Sequence, residues 1–91
     1  MADISFTQFV ISLASSAAIH FGDMPDPSGQ KLSEPNLEGA RQMIDILALM
    51  EEKTKGNLTA EERQVLEQVL YELRLRFVSV SGTQGSRIVQ P

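Results

Sequence analysis

The side chains that could do chemistry in this chain are few and scattered. His20 is the single histidine, and there is no cysteine. A zinc ion would therefore need carboxylates for its remaining ligands, a rare structural set. No Ser-His-Asp or Cys-His constellation is proposed from one histidine and no cysteine. Asp45 stands inside the apolar run Met43-Ile44-Asp45-Ile46-Leu47. It falls four residues after Arg41, so an ordinary i,i+4 ion pair is the expectation, with a buried interface carboxylate as the alternative. Glu51, Glu52, Glu61 and Glu62 flank a turn, but they lack the Glu-x-x-His pairs that di-iron bundles use. The segment from Asp23 to Glu34 has the length of an EF-hand loop. Pro25 and Pro27 fall where ligands belong, and the glycine of position six is missing. Lys53-Thr54-Lys55-Gly56 hints at a phosphate loop, but the order is wrong and the segment ends a helix, where the dipole repels anions. Arg74 and Arg76 with Tyr71 could meet nucleic acid. They are interleaved with Glu67 and Glu72, and the net charge is -4, so a solvated face is expected and nucleic-acid binding is not.

These side chains must be positioned by helices. Ser5 and Gln8 form a capping box at the start of the first helix, with Ile4 and Phe9 as the accompanying hydrophobic staple. Gly22 supplies the left-handed stop. Phe6, Phe9, Val10, Leu13, Ala17 and Phe21 recur at helical spacing as an apolar stripe. The opposite face carries Thr7, Gln8, Ile11, Ser12, Ser15, Ala18 and Ile19, with no charge at all. A surface helix would carry Lys and Glu there, so this helix is expected to be buried on both sides. Residues 22–36 hold three of the four prolines and read as a loop of unusual length, either a spacer or a binding element. Asn36 caps a second helix over Leu37–Thr54. Its apolar half is Leu37, Ala40, Met43, Ile44, Ile46, Leu47 and Met50. Thr59 and Glu62 form a second capping box, which opens a third helix over residues 60–79. Val65, Leu66, Val69, Leu70, Leu73 and Phe77 are its main stripe. Tyr71, Leu75 and Val78 lie almost opposite. Arg63–Glu67 and Glu72–Arg76 are candidate i,i+4 pairs.

The expected fold is all-α: three helices near 6–21, 37–54 and 60–79, with the last two in an antiparallel hairpin, built into an oligomeric helical bundle. A single domain spans 1–81, and 82–91 is expected to be a flexible tail. Ninety-one residues hide only about 60% of the unfolded surface, and neither disulfide nor thiolate metal can assist, so self-association is the remaining source of stability. The uncharged stretch between Asp3 and Asp23 lacks the basic start of a signal peptide, and a helix over 6–21 is too short to cross a bilayer. A cytoplasmic protein without membrane insertion is expected.

Three stretches resemble a known bacterial family, the domain of unknown function 1844 family. They are Phe9–Gly22, Ala40–Leu47 continuing through Glu51–Thr59, and Leu70–Val78. Glu52-Lys-Thr-Lys-Gly-Asn-Leu-Thr59 is the most specific piece. The resemblance implies a mostly helical cytoplasmic protein and brings no catalytic residue or cofactor with it. The functional expectation is a non-catalytic oligomeric scaffold or regulatory subunit that binds a partner protein. Its candidate interface is Phe6, Phe9, Ile11, Ser12, Ser15, Ala18 and Ile19 with Tyr71, Leu75 and Val78. The rival expectations are a metal-dependent enzyme using His20, Asp45 or the glutamates at an oligomer interface, and peripheral membrane attachment through the first helix.

Overall fold

The first helix begins where its free N–H groups find acceptors. The Ser5 hydroxyl accepts from the Gln8 N–H, and the Gln8 side chain accepts from the Ser5 N–H, completing the capping box. Helix α1 (Phe6–Phe21) follows and ends at Gly22, whose φ of +83° is left-handed. The Gly22 N–H donates to Ile19 O, and the Asp23 N–H reaches back to Ala18 O at 2.9 Å. That pair of bonds is a Schellman closure, and a residue with a Cβ would be strained at Gly22. Asn36 caps helix α2 (Leu37–Lys53) by accepting from the Gly39 N–H at 3.1 Å. At the other end Thr54 returns both its N–H and its hydroxyl to Met50 O. The Thr59–Glu62 box then opens α3 (Ala60–Val89), with bonds of 2.9 and 3.1 Å.

The computed structural model describes the backbone from Ile4 to Val89 and the side chains as far as Gly82. Each helix packs on the other two. The short connection between α2 and α3 makes them an antiparallel hairpin, and α1 lies across it. The core is wholly apolar: Val10, Ala17 and Phe21 from α1, Ala40, Ile44 and Leu47 from α2, Leu66 and Leu70 from α3. Burying one such aliphatic side chain contributes about 1.5–3 kcal/mol. Leu13, Met43, Val65, Val69, Leu73 and Phe77 pack around these from the edges.

Several sequence expectations change here. α3 continues to Val89 rather than ending at Ser79. Ser, Thr and Gly weaken a helix without stopping it, and Gly82 is not among the glycines with positive φ that would end one. The expected flexible tail over 82–91 lies from residue 83 onward outside the described side chains, and Gln90 and Pro91 lie outside the described residues. Phe9 and Ile46, assigned to core stripes, are 47% and 39% exposed. A helical wheel shows the angle of a residue but not whether a neighbour reaches it. Ile4 is also exposed, so the staple is open to water. The single chain buries one side of α1, not both.

Candidate functional site

Two regions gather the side chains singled out by the sequence. The first is polar and joins the ends of the helices. Asn36 donates its N–H to His20 O at 2.6 Å, and its side-chain amide lies 3.4 Å from His20 Nδ1. The amide is the donor there, so the geometry assigns Nδ1 as the accepting nitrogen. The imidazole stands directly over the α2 backbone. A Cβ added at Gly39 would fall 2.6 Å from His20 Nδ1 and 2.9 Å from Asn36 Nδ2, which is why glycine occupies a buried position in the first turn of α2. His20 is thus a packing residue between α1 and α2.

Asp23, placed by the Schellman closure, reaches α3. Arg76 Nε donates to Asp23 Oδ2 at 2.9 Å, and Nη2 donates to Oδ1 in the same fork. Donating to the Asp23 carboxylate holds the Arg76 guanidinium above its ordinary pKa. Within the loop, Asp26 Oδ1 accepts from the Ser28 N–H and hydroxyl and from the Gln30 N–H. The Ser28 hydroxyl bond, with the Gln30 bond next, holds the Asp26 carboxyl below the usual range. Asp26, inside the segment that has only the length of an EF-hand loop, is the centre of a tight turn.

Other expected pairings dissolve. Arg41 meets Glu38 at 4.0 Å instead of Asp45, and Asp45 is exposed. Arg76 turns from Glu72 to Asp23, and Glu72 accepts from Gln68 at 2.7 Å. Arg63 and Glu67 form no ion pair within 4 Å among the described residues; both line a cleft of about 770 Å³ at the α2–α3 turn, with Glu51, Glu52 and Lys55. Charges of both signs alternate around that cleft. At the turn the Thr54 hydroxyl donates to Met50 O, and the Thr59 and Glu62 N–H groups are held in their capping box. Among the described residues, no three His, Asp and Glu side chains stand close enough to share a metal ion.

The second region is apolar and open. Tyr71, Leu75 and Val78 project from the outer face of α3 and are 61%, 52% and 67% exposed. Beside them a groove of about 520 Å³ runs between α1 and α3, lined by Thr7, Ile11, Gln64, Val65, Gln68 and Val69, with Glu61 at one end. Ile11 is 51% exposed. The rest of the α1 candidate set divides. Phe6 packs against the core edge, Phe9 and Ser12 are exposed, and Ser15, Ala18 and Ile19 are half-buried. Ile46 and Leu49 form a smaller exposed pair on α2. Sequence reading missed the groove because Val65 and Val69 belong to the core stripe and also form its floor. It missed the Asp23–Arg76 fork because the partners are far apart in the chain.

The fold and these two regions define a small three-helix protein with an apolar core, a polar junction and an open apolar face. Among its described residues, no helix is long and apolar enough to cross a membrane. The chain belongs to the family described as "Domain of unknown function (DUF1844)", whose pattern matches residues 3–79. Neither the curated proteins nor the solved structures yield a match.

Proposed function

We propose that this chain is a non-catalytic scaffold or regulatory subunit that acts by binding protein and is itself an oligomer. The observation that carries this reading is the open apolar face made by Ile11, Val65 and Val69 in the groove and by Tyr71, Leu75 and Val78 beside it. Exposed apolar side chains grouped in this way on a small protein mark a surface that is covered in use. The molecule is a slab with Cα extents of 51 × 33 × 16 Å. A Cα extent of 16 Å in the thinnest direction corresponds to about two layers of helices, which leaves the outer side of α3 without a layer of its own. A second copy or a partner supplies the missing layer. The polar side chains support the same reading, because His20, Asp23, Asp26, Glu62 and Arg76 bond to other parts of the fold.

The test is the mass of the purified protein by light scattering over a wide concentration range, for the wild type and for Ile11→Lys. The expected result is a concentration-dependent oligomer that Ile11→Lys weakens while circular dichroism shows the chain still folded. A wild type that stays monomeric throughout overturns the oligomeric reading.

A further inference from the structure

The outer face of α3 has a spacing of its own. Gln64, Gln68, Tyr71, Leu75, Val78 and Gly82 follow one another at intervals of four, three, four, three and four. That is the seam of a coiled coil, in which every second step returns to the same line along the helix. The seam lies opposite the core stripe of Leu66, Leu70, Leu73 and Phe77, so one helix carries two apolar lines and this chain covers only one. With Gln68 and Leu75 at a positions and Tyr71 and Val78 at d positions, Glu67 and Arg74 are the flanking g residues. Glu72 is a flanking e residue. Glu67 and Arg74 are both exposed.

We propose that the occupant of this seam is the same seam of a second copy, laid antiparallel in one register. The charges decide both direction and register. A parallel pair would set Glu67 against the second copy's Glu72, a like-charge contact made twice. An antiparallel pair instead brings g residues against g residues. Sliding it by one heptad either way sets Glu67 against its own counterpart or Arg74 against its own. In the intermediate register Glu67 of each copy meets Arg74 of the other, twice by symmetry. The same register places Tyr71 against Gln68 of the other copy and Leu75 against Gln64. Gln64 and Gln68 are also wall residues of the groove that Ile11, Val65 and Val69 line. The apolar half of each seam therefore meets the polar half of the other, with Val78 against Glu61, as two-fold symmetry requires. Ile11, from the α1 part of the candidate interface, thus stands at the rim of an α3 pair.

This inference rests on the reading that the chain self-associates, and the experiment separates the two. Sedimentation equilibrium at low salt compares the wild type with Glu67→Arg, Arg74→Glu and the double reversal. Each single reversal replaces two attractive contacts with two repulsive ones and is expected to weaken the dimer about tenfold. The double reversal restores the pairing and the affinity. Both sites are exposed, and far-ultraviolet circular dichroism checks that each variant remains folded. The register has an independent readout, because the chain has no cysteine. A chain with Gln64→Cys mixed with one carrying Leu75→Cys should form the mixed disulfide in preference to either homodimer. A wild-type dimer indifferent to both single reversals, or one that forms homodimeric disulfides instead, overturns the α3 pairing and leaves self-association through another face. A wild type that is monomeric at every concentration overturns both readings.

Discussion

The junction where α1, the loop and α2 meet and the outer face of α3 are opposite solutions to the same shortage of chain. At the junction the side chains are polar and are spoken for. His20 lies over Gly39, Asn36 caps α2 while contacting His20, and Asp23 forks onto Arg76. On the outer face Tyr71, Leu75 and Val78 are more than half exposed among the described residues. The contrast separates structure from function here. His20, Asn36, Asp23 and Arg76 are bonded within the fold, and Tyr71, Leu75 and Val78 stand exposed. Damage to the junction should lower the stability of the monomer and leave association alone, and damage to the face should weaken association and leave the monomer's own stability nearly unchanged.

Among variants of the junction and the outer face, the largest expected effect on stability is at the junction. Gly39→Val places a branched side chain where a single Cβ already meets the His20 ring and the Asn36 amide. Overpacking of this kind costs about 1–3 kcal/mol. Thermal melts should show the loss, and the dimerisation constant should be unchanged wherever the protein is folded. A melting temperature equal to the wild type would mean that the His20 contact is loose. Next is Arg76→Gln, which removes one end of the fork to Asp23. Its side chains are 45% and 38% exposed, so a contribution of about 0.2–1 kcal/mol is expected. Raising the salt concentration should shrink the difference between variant and wild type. A loss well beyond that range would show that the fork orders the whole loop.

These variants also mark where sequence reading reaches and where it stops. The bounds of α1, the start of α2 and the start of α3 are legible because their signals are local: Ser5 with Gln8, Asn36, and Thr59 with Glu62 each act within one helical turn. The α3 core stripe and the opposing Tyr71, Leu75 and Val78 are legible for the same reason, as periodicity. Arg76 is not, because periodicity offers Glu72 as its partner and the fold offers the better-placed Asp23. Nor is Gly39, since its reason for being glycine is a ring carried by another helix. The end of α3 is misjudged because weak helix formers after Val78 lower propensity without providing a stop. Of the candidate interface, the α3 residues emerge exposed as expected, and the α1 set is split by packing that the wheel does not show.

A smaller effect sharpens the other side of the comparison. Leu75→Ala removes an exposed apolar side chain, so the monomer's stability should change by no more than about 0.5 kcal/mol. Leu70→Ala, a few residues earlier on the buried face, is the control and should cost about 2–5 kcal/mol. Sedimentation of Leu75→Ala should show weakened association. If both leucines proved equally costly to the fold of the monomer, the distinction between the two faces of α3 would fail.

The smallest expected effect concerns Asp26, at the tip of the polar region. Its carboxylate accepts three hydrogen bonds and its pKa is lowered, first by the Ser28 hydroxyl and then by the Gln30 N–H. A folded-state pKa below the unfolded value means that the folded chain favours the charged form. The contribution is therefore fully present above the unfolded carboxylate pKa and is lost as the pH falls through the folded one. Asp26→Ala lacks these bonds at every pH. Its melting temperature should lie slightly below the wild type near neutrality, and the gap should close as the solution is acidified through the carboxylate range. Other carboxylates titrate in both proteins, so the difference between them isolates Asp26. The dimer should not respond, because the turn lies at the junction and not on the outer face of α3. A gap that stays constant down to strong acid would show that the turn is held by its backbone bonds, Gly29 N–H to Asp26 O and Asp26 N–H to Gln30 O, rather than by the charge.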